Sequence, residues 1–209
     1  VTTVNGTNAF PYIRYSEVLL NLAEAQAELG TIQQSDIDRT IKLLRDRVGM
    51  PNLDIAYSNT HPDPYLAGLY TNLPAGGNQG LILEIRRERR VELYLEGLRY
   101  YDIVRWKEGQ KFTKPSRGMY IAGEGYIDFD HDGTNDLCIY SGSEPAHVGK
   151  CQYANIGSLT LSNGNSGEII VNADIRRSWS EERDYLYPLP LEDLQLNSNL
   201  KQNYGWDEK

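Results

Sequence analysis

Nine residues, Asp128 to Asp136, read DFDHDGTND. Asp128, Asp130, Asp132 and Asp136 fall at positions 1, 3, 5 and 9 of a calcium loop, Gly133 at position 6 permits the turn, and Thr134 at position 7 offers its carbonyl. Hard oxygen donors at this spacing suit calcium, and four carboxylates crowded into nine residues repel one another without a cation. The expected role is structural, pinning a long irregular segment, because nothing nearby supplies a nucleophile or a base. An EF-hand is not expected, since position 12 is Ile139 and no helix is evident on either side. His131, between ligand positions, is expected to point to solvent.

Other chemistry is hard to assemble from these residues. Glu88, Glu92 and Glu96 recur at four-residue steps, but helical dimetal sites use a Glu-x-x-His pair and no His lies in this stretch. Interleaved Arg87, Arg89, Arg90 and Arg99 predict an ion-pair lattice instead, with Glu84–Arg87, Arg89–Glu92 and Glu96–Arg99 pairing along an exposed helix face. His61, His131 and His147 give no triad. Paired acids for glycoside hydrolysis need only meet in space, which leaves an enzyme as a competing reading, but nothing in the sequence selects such a pair.

The elements that must position these groups follow from periodicity. Ile13, Leu19, Leu20, Ala23, Ala27 and Leu29 predict a helix over Tyr12 to Gly30. A second is predicted after Ser35, with Ile37, Ile41, Leu44 and Val48 as its stripe, Asp38 as the acid of a capping box, and Gly49 and Pro51 as its stop. Two helices joined by a short turn make an antiparallel hairpin of tetratricopeptide type, which cannot bury its own face without stacked neighbours. Asn52 to Gly80, rich in Pro and Gly, reads as loop. A helix resumes at Leu81, with Ile85, Val91, Leu95 and Leu98 as its apolar stripe, and Tyr100 to Trp106 continues it or forms a kinked second one. Beyond Lys107 the chain turns to Gly, Ser, Thr and Asn, with small strands at Leu137 to Tyr140 and Glu168 to Val171 and a short helix from Leu191. The fold class is therefore all-α dominated, with helical hairpins, long loops and small β elements.

Composition narrows the partners. The 209 residues carry 21 Lys and Arg against 29 Asp and Glu, a formal charge of −8, which argues against nucleic acid. No apolar run approaches the ~18 residues of a membrane span. Fifteen Tyr against three Phe and three Trp favour surfaces where an apolar ring face and a hydroxyl are both useful, as in binding sugars or proteins. Cys138 and Cys151 are too few for a disulfide scaffold and lack zinc-site spacing, though an oxidising compartment would allow them to pair. The chain begins at Val1 without a leader pattern and reads as a fragment or a mature remnant.

Three blocks carry a family resemblance. YIRYSEVLLNLAEAQAELG at Tyr12 to Gly30, RRERRVELYLEGLRYYDIVRW at Arg86 to Trp106, and YLYPLPLEDLQLNSNLKQNYGW at Tyr185 to Trp206 resemble, in order, the signature blocks of the SusD/RagB family. The resemblance implies a mostly helical domain with tetratricopeptide-like hairpins, of which 1–209 would be the C-terminal part, with an irregular insertion at about 107–184 and the N-terminal half absent. It implies an outer-membrane, surface-exposed lipoprotein, anchored through an N-terminal Cys not present in this chain. Such a protein binds nutrients, usually glycans, and serves as a lid on a SusC-type TonB-dependent transporter without being an enzyme. Trp106 and Trp206 lie in signature blocks and are expected to pack. Trp179, in the loop 172–185, is the expected sugar-stacking ring, followed by Tyr57, Tyr65 and Tyr70. The alternative reading is a helical-repeat adaptor that binds a protein partner and no small ligand.

Overall fold

Residues 12–207 are described by a computed structural model, and residues 1–11, which the sequence reads as a short polar arm, lie outside them. The chain divides into two compact units, 1–108 and 109–209.

The first unit is helical. Its elements are α1 (Tyr15–Glu28), α2 (Gln34–Asp38), α3 (Ile41–Arg47), α4 (Ile55–Thr60), α5 (Pro64–Leu69), α6 (Gln79–Glu92) and α7 (Arg99–Arg105). Leu19, Leu20, Ala23 and Ala27 of α1 bury against Ile37, Ile41 and Leu44 of α2 and α3 and Leu81, Ile82 and Ile85 of α6. Each of these leucines and isoleucines contributes about 1.5–3 kcal/mol by leaving water. A second cluster joins Leu66, Tyr70, Leu83 and Trp106.

Several elements depart from the sequence pattern. The second predicted helix is two helices, because the buried Thr40 hydroxyl donates back to the Asp36 carbonyl at 2.5 Å and Thr40 leaves helical geometry. The capping acid is Asp36, which accepts from the Gln33 N–H at 2.8 Å, two residues before the expected box. The stretch read as loop contains α4 and α5, each started by an aspartate whose carboxylate accepts backbone N–H groups: Asp54 from Tyr57, and Asp63 from Tyr65 and Leu66, with Pro64 at the first helical position. Helix α6 stops at Glu92 instead of running to Leu98, because Leu95 and Gly97 adopt positive φ (64° and 79°). Val91 and Leu95, expected on the apolar stripe, are 70% and 85% exposed, and the buried face is Gly80 to Arg86 with Arg89.

The second unit holds two small sheets. β1 (Ser116–Ile121) pairs antiparallel with β5 (Gly167–Val171). β3 (Leu137–Tyr140) is central to the other, antiparallel to β2 (Gly125–Ile127) and parallel to β4 (Gln152–Asn155). Ile121, Ile139 and Leu161 form the core. Helix α8 (Leu191–Leu196) precedes a C-terminal arm held by side chains standing in for strand pairing. Gln202 exchanges two hydrogen bonds with the Leu189 backbone, Asn203 donates to the Tyr187 carbonyl, and the Trp206 indole N–H donates to the Leu186 carbonyl at 3.1 Å.

Candidate functional site

The acidic loop spans the hairpin between β2 and β3. Backbone N–H groups orient its carboxylates: Asp128 accepts from His131 at 2.8 Å and Gly133 at 2.9 Å, Asp130 from Asp132 at 3.2 Å, and Asp136 from Phe129 at 2.8 Å. The bonds to Asp128 require the chain to double back at Gly133, whose φ of +86° suits glycine. Oxygens of Asp128, Asp130 and Asp136 lie within 4.8 Å of one another. Two oxygens bound to one calcium ion are at most about twice a 2.3–2.6 Å bond apart, so this donor set fits calcium in type and in spacing. Asp132, the fourth predicted ligand, is not in this group; its carboxylate accepts the Thr134 N–H at 2.7 Å. His131 is exposed, with a positive φ of 60°.

A groove of about 410 Å³ borders the loop, lined by Tyr126, Thr134, Asn135, Val148 and Cys151 among others. Cys138 and Cys151 are both buried free thiols. Burial, followed by the neighbouring Cys138, pushes the Cys151 thiol pKa up.

The aromatic candidates have different surroundings. Trp179, in the second unit, is half-buried, with Phe112 at 5.1 Å and Tyr185 edge-on at 5.0 Å. Its indole lies on Gly109, where a Cβ would come within 2.0 Å of the ring. The Tyr185 hydroxyl accepts from Gly109 N–H at 3.0 Å and donates to Glu181 at 2.6 Å; burial, then Glu181, raises its pKa. In the first unit Tyr57 stacks on His61 at 4.5 Å and is 66% exposed, and Tyr65 is 70% exposed. Tyr70 is instead 1% exposed, packed edge-on against Trp106 and bonded to Arg99, so it offers no face to a sugar. It ends α5, where the loop reading hid the helix that carries it inward.

The first unit holds a charge network that the sequence reading placed on an exposed helix face. Glu24, Arg89 and Asp102 are each at least 95% buried. Glu24 accepts from Arg105 at 2.6 and 2.7 Å and from the Trp106 indole at 2.5 Å; Asp102 accepts from Arg89 and Arg105, each at 2.9 Å. Arg86, 1% exposed, lies over the rings of Trp106 and Tyr70 at 4.4 and 5.3 Å. Of the predicted pairs only Glu84–Arg87 forms along the helix. Glu92 binds Arg14 and Arg47, Glu96 binds Arg14, and Glu88 binds Arg45. The lattice therefore ties helices together instead of decorating one. Its signal was the sheer number of Arg and Glu on a helix of a thin-cored chain. A second groove of about 410 Å³ borders it, lined by Glu17, Asn21, Glu28, Tyr101 and Arg105 among others.

A model of the SusD family matches residues 1–206. Among solved structures, a SusD-like protein from Bacteroides fragilis is similar at 24% identity with a TM-score of 0.51, over 93% of this chain and 25% of that one. The chain thus spans about a quarter of the length of that neighbour, and the likeness shows a common fold. No curated protein matches the chain.

Proposed function

The chain belongs to the SusD family, and on that premise we propose that it is part of a cell-surface protein that binds an oligosaccharide and delivers it to a SusC-type TonB-dependent transporter in the outer membrane. The match across residues 1–206 carries this reading. The whole protein is a lipid-anchored binding protein without turnover, and α1 with α2 and α3 forms one of its tetratricopeptide-like hairpins. No helix among the described residues is long and apolar enough to cross a membrane.

The sugar stacks on rings that present a face to solvent. Each unit has its own candidates: in the first, Tyr65 and the face of Tyr57 turned away from His61, and in the second, separately, the part of the Trp179 ring that Phe112, Tyr185 and Gly109 leave open. Asp128, Asp130 and Asp136 hold a calcium ion, which supplies the positive charge that lets three carboxylates share one turn. The ion pins the β2–β3 hairpin and takes no part in chemistry.

A glycan array on the full-length protein, with product analysis over time, tests the reading. Retention of one glycan class without hydrolysis is expected. Hydrolysed product, or no retention of any glycan, would overturn it.

A further inference from the structure

Strands β3 and β4 run parallel, yet the connection between them, residues 141–151, is irregular. Parallel neighbours ordinarily need a crossover of about a dozen residues or more, usually built on a helix. Here the chain instead folds back over one face of the pair: the Val148 N–H donates to the Tyr153 hydroxyl at 2.7 Å and the His147 ring stacks on Tyr153 at 4.2 Å. Tyr153 stands level with Cys138 of β3. Residues two apart along a strand share a face, so Cys151 lies on that same face, diagonal to Cys138. Both thiols are buried, at 3% and 9% exposure, and they are the two cysteines of the chain. The Cys151 sulfur is 3.4 Å from the Gln152 carbonyl oxygen, and burial followed by Cys138 raises the pKa of this thiol, which places the two sulfurs in each other's field.

We propose that Cys138 and Cys151 form an oxidative cross-linking site: a disulfide between them staples β3 to the start of β4 and fixes the irregular 141–151 connection. Diagonal neighbours across a ladder have Cα atoms about 7–8 Å apart, and a disulfide needs about 4.4–6.8 Å, so the pair closes by about 1–2 Å. Cys151 can move that far because the ladder begins only at Gln152 and a turn at Gly149, with φ of +61°, precedes it. Cys151 also lines the groove beside Tyr126 and Val148, which opens it to a small disulfide oxidant. Its thiolate attacks one sulfur of the oxidant, breaking that S–S bond and releasing a thiolate that takes up the proton lost by Cys151. Cys138 then attacks the Cys151 sulfur and expels the second thiol. Two electrons thus pass to the oxidant, and its two thiols carry the two protons away. A metal is the other use of paired thiols, but among the described residues no carboxylate or imidazole completes a three-ligand set with them.

Oxidised glutathione added to the reduced, folded chain should lower its mass by about 2 Da, and peptide mapping should find Cys138 joined to Cys151. A chelator in the buffer keeps this result independent of calcium. By linkage, the factor by which folding favours the bond is the factor by which the bond favours folding. Its equilibrium constant against glutathione should therefore be at least about tenfold larger in the folded chain than in urea, and the melting temperature should rise by about 3–6 °C and fall back with dithiothreitol. C151S should show no such rise on oxidation. Glutathione adducts that never close to a ring, disulfides between chains, or a bond favoured equally in urea would overturn the proposal, and so would an equal rise in C151S.

Discussion

Glu24 and Trp106, separated by 82 residues, meet through a 2.5 Å hydrogen bond from the indole N–H to the carboxylate. The same carboxylate binds the Arg105 guanidinium through two bonds, so α1 and the end of α7 are locked by one buried acid. A buried carboxylate with every partner in place adds little over a packed apolar group, but removing it strands the others. Here the Trp106 indole N–H loses its acceptor, while Arg89 and Arg105 keep Asp102, and that asymmetry makes the network testable.

E24A is expected to cost about 1–3 kcal/mol of unfolding free energy, because it leaves the buried Trp106 indole N–H unpaired while Asp102 still holds the arginines. E24Q, which keeps an acceptor oxygen, should cost less. Urea denaturation of the two variants measures the difference. Equal stability of E24A and the parent protein would show that the network is dispensable.

Chelation should lower the melting temperature, and calcium should restore it. D128N or D130N should abolish the restoration, whereas D132N should preserve most of it, since Asp132 lies outside the oxygen cluster. Calorimetric titration of the metal-free chain reads the affinities directly. Loss of binding in D132N equal to that in D128N would place Asp132 in the coordination sphere.

Tyr57 and Tyr70 should separate binding from folding. Y57A removes an exposed ring and should change stability by no more than about 0.5 kcal/mol. Y70A empties a packed site and should cost about 3–5 kcal/mol. If Tyr57 is a stacking ring, Y57A weakens glycan retention on the array without moving the melting temperature. Unchanged retention would remove Tyr57 from the site.

Acid should weaken both units through two aspartates whose pKa values are depressed. The Gln33 backbone N–H lowers that of Asp36, and the Arg183 side chain, followed by the Ser180 N–H, lowers that of Asp184. A carboxyl with a folded pKa below its ordinary value of 3.8 contributes its stability above that value and loses it as the pH falls through the folded pKa. Thermal melts taken from about pH 5 to pH 2 should show the loss, and D36N and D184N should each flatten that limb. Curves for these variants parallel to the parent's would contradict the assignment.

The helical class and family of the chain were legible in one dimension. Apolar spacing marked α1, and the Arg, Glu and Trp of the second block together with the terminal Gln-Asn-x-Gly-Trp identified the family. The acidic loop was legible because its donors are consecutive enough for backbone N–H groups of the same turn to orient them.

Tertiary structure decided everything that depends on partners distant in sequence. Local spacing predicts Arg89 with Glu92, yet Arg89 turns inward to Asp102 because the buried face of α6 carries it there. Tyr57, Tyr65 and Tyr70 look alike in a Pro- and Gly-rich stretch, but the caps at Asp54 and Asp63 wind it into helices that expose the first two and bury the third. Periodicity records which residues share a side of a helix. Which side faces the core is settled by the other helices.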